Sequence, residues 1–184
     1  MQYLAKEQII AATEKIFEAF TQACYAAGES YFFNHQQGKW SVAETVRHLI
    51  LSTKTTTLAY RLPAFIVRWI GGRPNRLSKS YEALVEKYKR KLAEGGKASG
   101  IFIPGTIDEQ YGKDKIMQQW KKATSNFINT LRTKTSETKL DDYIVKHPLL
   151  GKITLRELCY FTIYHTEHHL SIIQNRPAEG TLHS

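Results

Sequence analysis

The sequence has few cysteines, fewer acidic than basic residues, and no long apolar run. Its only two cysteines, Cys24 and Cys159, are far apart and form no CxxC motif. We therefore expect a reducing compartment, the cytoplasm. No window approaches the roughly 18 consecutive apolar residues of a membrane-spanning helix. The N-terminal stretch carries charges at Lys6 and Glu7 and does not resemble a signal peptide, so we predict no membrane partner.

The shortage of acidic residues gives the chain a formal net charge of +9, from 26 Lys and Arg against 17 Asp and Glu. A basic excess can indicate nucleic-acid binding. Here the positive charges are spread along the chain with acids between them, and no nucleic-acid motif accompanies them. We interpret them as a basic solvated surface, which disfavours a nucleic-acid partner. A positive rim that attracts an anionic small molecule is the alternative.

No internal repeat, low-complexity tract or linker divides the chain, so we predict a single domain over residues 1–184 with a frayed tail over 176–184. Apolar residues recur at helical spacing in four long segments. We predict helices over residues 6–27, 42–62, 113–134 and 155–175. The fold class is therefore all-α, a four-helix bundle with a long connection between the second and third long helices. That connection permits a crossover.

The shorter segments are predicted from local composition. In the long connection, "AFIVRWI" is predicted as a short helix and "SYEALVEKYKRKLAEGG" as a polar, exposed helix. "ASGIFIPGT" is predicted as a loop with an apolar knot, "TSETKLDD" as a polar linker, and "VKHPLLGKITLREL" as a Pro–Gly turn into the last helix.

Two of the long helices have sharp predicted starts. Ser41 with Glu44, and Thr154 with Glu157, each form an S/T-x-x-E capping box, in which each side chain satisfies an otherwise unpaired backbone N–H of the first turn. Trp40 precedes the first of these caps and is predicted to pack onto the helix that follows.

The stretch "YHTEHHLSII" contains three histidines within five residues. On a helical wheel, His165 and His169 are one turn apart and fall in the inward apolar stripe. His168 falls outside it, as do Glu167, Tyr160 and Tyr164. Two imidazoles at this spacing can bind one metal ion, and a hydrogen-bonded core pair is the competing interpretation. A third ligand would have to come from elsewhere, and His48 ranks only slightly above His147.

The motif does not match the zinc-protease patterns H-E-x-x-H or H-x-x-E-H, because Glu167 stands at the wrong place and projects away from the pair. No glycine-rich phosphate loop or G-x-S-x-G elbow occurs. Cys159 lies on a predicted core face and is interpreted as a packing residue rather than a nucleophile. No general base is assigned.

Together, "KWSVAETVRHLILS" and "HPLLGKITLRELCYFTIYHTEHHLSII" resemble the DinB-like superfamily, in particular its bacillithiol-transferase-like subgroup, through the motifs W-S-x-x-E-x-x-x-H-L and H-P-x-x-G…H-x-x-x-H. The two stretches cover about a quarter of the chain. The resemblance implies a four-helix bundle that holds one divalent metal ion, nickel or zinc, through His48, His165 and His169. It also implies that His147 belongs to a turn that positions the last helix.

The resemblance implies a bacterial, metal-dependent enzyme in which the metal activates either water, as in a hydrolase, or a low-molecular-weight thiol such as bacillithiol, as in an S-transferase. The expected partner is a small-molecule substrate or that thiol. Three nitrogen ligands leave coordination positions open, as a catalytic site requires. The alternative is a non-catalytic, stress-related metal- or ligand-binding protein of the same fold. A homodimer is left open.

Overall fold

The computed structural model describes residues 3–35 and 38–175, so the predicted tail, 176–184, lies outside the described residues. The α-helices are α1 (Lys6–Ala26), α2 (Glu29–Phe33), α3 (Val42–Arg61), α4 (Ala64–Gly71), α5 (Tyr81–Ala93), α6 (Lys113–Lys134), α7 (Glu137–Asp142) and α8 (Leu155–Gln174). Short 3₁₀ helices cover Gly100–Phe102 and Glu109–Tyr111, and two strands, β1 (Ile144–His147) and β2 (Gly151–Thr154), pair antiparallel.

The four long helices α1, α3, α6 and α8 form the predicted four-helix bundle. Helix α3 packs against α6 and α8, and α1 packs against the same two helices. This ring of contacts places α1 diagonally opposite α3, although they are the first two long helices in the chain. The order is therefore not simple up-down-up-down. The diagonal step lies between α1 and α3, whereas the long connection, where the sequence allowed a crossover, joins the neighbouring helices α3 and α6.

The predicted helix bounds agree with the structure to within one residue at every end. Both capping boxes are present: the Ser41 hydroxyl accepts from the Glu44 backbone N–H, and the Thr154 hydroxyl accepts from that of Glu157. The core is built from aromatic side chains on α1 and α6, where the indole of Trp120 meets the rings of Phe17 and Phe20, each at 5.2 Å.

Some predictions for the shorter segments were wrong or incomplete. The polar linker contains α7. The predicted Pro–Gly turn is present, but it joins two strands, β1 and β2, that were not predicted. Helix α5 is not simply exposed, because Leu84 and Tyr88 are buried against α8. The segment "ASGIFIPGT" that follows does not form the predicted apolar cluster, because Ile101 and Ile103 are 69% and 55% exposed.

Helix α4 lies against β1 because its last residue is a glycine. A Cβ built at Gly71 would lie 1.8 Å from the carbonyl oxygen of Ile144, so any larger side chain would push the helix off the hairpin. Among the described residues, no helix combines the length and apolar character needed to cross a membrane.

Candidate metal centre

Helix α3 contributes His48, which lies two turns after the Ser41 cap and is buried. Its Nδ1–H donates to the main-chain carbonyl of Phe102 at 2.7 Å. That hydrogen bond fixes the neutral tautomer, so the lone pair of Nε2 points toward the bundle interior. No sequence pattern pointed to Phe102, because the contact joins two segments 54 residues apart.

Helix α8 contributes His165 and His169, both buried and one turn apart. The start of this helix is held firmly: the carboxylate of Glu157 is fully buried and accepts from the guanidinium of Arg76 at 2.7 and 2.8 Å. Glu157 also accepts from the backbone N–H of Lys79. The long connection is thereby tied to the helix that carries the histidine pair.

The three imidazoles converge through their Nε2 atoms. Nε2 of His165 lies 3.0 Å from Nε2 of His48 and 3.2 Å from Nε2 of His169, and all three atoms lie within 4.8 Å of one another. Two nitrogens bound to one ion at about 2.05 Å are roughly 2.9 to 3.3 Å apart for ligand angles between 90° and tetrahedral. The two short separations fit a shared divalent ion, and without an ion the same separations fit N–H···N hydrogen bonds between neutral rings.

Burial keeps the three rings neutral. Desolvation lowers the pKa of His48, and it lowers the pKa values of His165 and His169 well below the ordinary value, reinforced by the neighbouring histidines. A metal ion requires neutral imidazole ligands. The site is therefore in the ligating form at neutral pH.

The remaining candidates lie outside this cluster. His168 is half-buried on the flank of α8, and Glu167 is exposed, as predicted. Tyr160 was predicted to lie outside the inward stripe but is fully buried. His147 belongs to the hairpin turn, where its Nδ1 accepts from the backbone N–H groups of Leu149 and Leu150 at 3.2 and 3.1 Å.

Trp40 packs onto α3, as predicted, and lies beside the histidine cluster. Its indole ring is 4.8 Å from the ring of His48 and 6.3 Å from that of His169. The cysteines stay in the core: Cys159 is buried and 2.9 Å from the hydroxyl of Tyr60, and burial raises its pKa to about 12. Cys159 is therefore a packing residue, as predicted.

A cavity of about 430 Å³ opens onto the three histidines. Its walls come from α3, α5, the 3₁₀ segment, the hairpin and α8. The apolar side chains among its walls include Ala59, Leu92, Phe102, Val145, Leu149, Leu158 and Phe161. A small molecule placed in it would lie directly against the Nε2 cluster.

Comparison with known proteins agrees with this architecture. No protein with a curated description matches the sequence. Among solved structures, YfiT from Bacillus subtilis is similar, with 19% identity, a TM-score of 0.58, and coverage of 92% of this chain and 83% of YfiT. YfiT is described as a probable metal-dependent hydrolase with an unusual four-helix bundle topology. The model of the DinB superfamily matches residues 7–173, and the chain belongs to that superfamily.

Proposed function

We propose that the chain is a metal-dependent hydrolase that holds one divalent ion on His48, His165 and His169. The observation that carries this proposal is the convergence of three neutral Nε2 atoms, 3.0 and 3.2 Å apart in the two short pairs, at a cavity large enough for a small molecule. Three nitrogen ligands are the number found in catalytic zinc sites, whereas structural sites use four protein ligands.

When bound, such an ion would keep positions for water or substrate and lower the pKa of a bound water toward about 7. The chain's own residues prepare that chemistry. The carbonyl of Phe102 orients His48, and Ser52 Oγ lies 3.5 Å from Nδ1 of His165. The apolar walls limit the water that reaches the cluster, which strengthens electrostatic interactions inside it.

Hydrolysis is placed ahead of thiol transfer because the structurally similar YfiT is described as a probable metal-dependent hydrolase. Activation of a small thiol stays a prediction of the sequence, as do nickel or zinc as the metal, the cytoplasmic location and a homodimer. A non-catalytic metal-binding protein of this fold is the alternative function.

The ligand assignment is tested by metal content. Wild-type protein purified without chelator is expected to hold about one divalent ion per chain, measured by inductively coupled plasma mass spectrometry. His169→Ala should lose the ion, because two ligands cannot hold it tightly, while the neighbouring His168→Ala should retain it. Equal metal loss in both variants would refute the assignment.

The hydrolase assignment needs a separate measurement. The protein loaded in turn with zinc, nickel and manganese is assayed on a panel of esters, amides and phosphoesters. Metal-dependent turnover that disappears in His169→Ala supports the proposal. Full metal occupancy without turnover on any of these classes favours the non-catalytic alternative.

A further inference from the structure

The cavity beside the histidine cluster is lined by positively charged but not by negatively charged side chains among the described residues. Two lysines, Lys97 and Lys146, both exposed, stand among its lining residues. No aspartate or glutamate lines it among the described residues. An ammonium group inside this cavity would find no carboxylate to compensate for its lost hydration, only neutral imidazole and hydroxyl acceptors, whereas an anion would be attracted by the two lysines; the lining therefore favours an anionic ligand over a cationic one.

Tyr88 is part of the wall of this cavity. Its side chain comes from α5 and is 5% exposed, with its ring against those of Phe161 and His165 at 5.3 and 6.2 Å. Among the described residues, Tyr88 Oη has no hydrogen-bond partner. It is not fully buried either. Among the described residues, Thr135 Oγ1 is the only fully buried side-chain oxygen or nitrogen without a hydrogen-bond partner. The Tyr88 hydroxyl therefore remains available to a ligand.

His147 brings a second donor. Because Nδ1 already accepts two backbone N–H groups of the turn, it carries no proton, and the proton of the neutral ring is on Nε2. Nε2 has no hydrogen-bond partner among the described residues and is likewise not fully buried. The ring lies 4.2 Å from that of Phe161, which in turn stacks on His165 at 4.8 Å. His147 thus stands one ring away from the proposed ligands.

We propose that the cavity binds an apolar molecule carrying a carbonyl or carboxylate group, with Tyr88 Oη–H and His147 Nε2–H donating to its oxygen atoms. The inference rests on the proposed function, because it gives the substrate class of that site: acyl compounds, uncharged or anionic. Two unpaired donors in an apolar cavity would be left unsatisfied by a hydrocarbon, and an oxygen acceptor satisfies them. The volume of about 430 Å³ lies within the range of small-molecule sites, roughly 300 to 1,000 Å³.

The charge preference is tested with two probes of the same shape. Isothermal titration calorimetry on the metal-free protein compares 4-phenylbutyrate with 4-phenylbutylamine, which share the apolar body and differ in the charged group. We expect the carboxylate to bind at least ten-fold more tightly than the amine. Equal affinity, tighter binding of the amine, or no binding of either probe overturns the proposal.

The donors are tested by removing single groups. Tyr88→Phe deletes only the hydroxyl and should weaken 4-phenylbutyrate binding about ten-fold, as expected for a lost hydrogen bond to a charged acceptor. Tyr164→Phe is the matched control, since Tyr164 packs 5.9 Å from Tyr88 but does not line the cavity. An unchanged affinity in Tyr88→Phe, or an equal loss in Tyr164→Phe, would contradict the assigned role.

His147→Asn removes the Nε2–H donor while the amide oxygen can still accept from the turn, as asparagine does in Asx turns. It should weaken binding of 4-phenylbutyrate by a similar factor with little change in the melting temperature. Unchanged affinity with an intact fold overturns the role of His147. Because the titrations use metal-free protein, an absence of hydrolytic activity would refute the proposed function alone, and an absence of probe binding would refute this inference alone.

Discussion

His147 should make the metal-free protein sensitive to acid. Burial, with a smaller contribution from Lys87, lowers its pKa to about 4, whereas an unfolded chain has the ordinary value near 6.5. Between these two values the unfolded chain binds a proton that the folded protein does not, so stability falls as pH falls. The stabilisation is fully present above about pH 6.5 and fully lost below about pH 4.

The magnitude follows from the two pKa values. At pH 5, an unfolded pKa of 6.5 and a folded pKa of about 4 make this residue alone destabilise the fold by about 2 kcal/mol relative to pH 7. In His147→Asn no group titrates at this position. The other buried histidines contribute alike in both proteins, apart from the lesser effect of His147 on the pKa of His165. The free energy of unfolding should therefore fall about 2 kcal/mol less in the variant between pH 7 and pH 5.

The measurement is urea denaturation of both metal-free proteins, followed by far-ultraviolet circular dichroism, at pH 7, 6 and 5. Any constant cost of the substitution cancels, because only the change with pH is compared. Parallel pH profiles for wild type and variant would refute the reasoning, since they would mean that His147 titrates alike in both states.

Two further substitutions test the scaffold. Gly71→Ala should lower the free energy of unfolding by about 1 to 3 kcal/mol in urea denaturation, since its Cβ would lie 1.8 Å from the Ile144 oxygen. Gly28→Ala, with open space around it, should lower it less. A larger loss of stability in Gly28→Ala than in Gly71→Ala would contradict this packing. Tyr60→Phe removes a buried hydroxyl that donates to a main-chain carbonyl at the start of α8 at 2.7 Å. It should lower the free energy of unfolding by about 1 to 2 kcal/mol. Tyr25→Phe, at an exposed position, is the control, and an equal loss of stability in both variants would argue against a contribution from this hydrogen bond.

The sequence predicted the features that local chemistry determines. The capping boxes at Ser41 and Thr154 act within four residues, and the apolar spacing of α6 continues through six turns, so both could be read from short windows. Helix α7 and the hairpin escaped detection because their sequences are polar or short and their stability comes from packing. The guanidinium of Arg156, for example, holds α7 through Asp141 at 2.7 Å.

The candidate site likewise has one part that local sequence predicts and one part that depends on the tertiary structure. The inward direction of His165 and His169 follows from the helical period alone, since both rings lie on one helix. The pairing with His48 depends on which helices are neighbours in the bundle, and the wheel left it open until the family resemblance was considered. Tyr88 and the carbonyl of Phe102 come from the long connection, whose path over the cavity no local pattern encodes.

The hydrogen bond from His48 to the carbonyl of Phe102 has a consequence for mutagenesis. Its acceptor is part of the main chain, so exchanging the side chain at position 102 leaves the acceptor atom in place. An alanine substitution at position 102 would therefore leave the contact in place, and His48→Ala would remove it together with the proposed metal ligand. The contribution of the contact by itself would become visible through changes in the path of the backbone, such as deletions that shorten the segment around Gly100–Phe102.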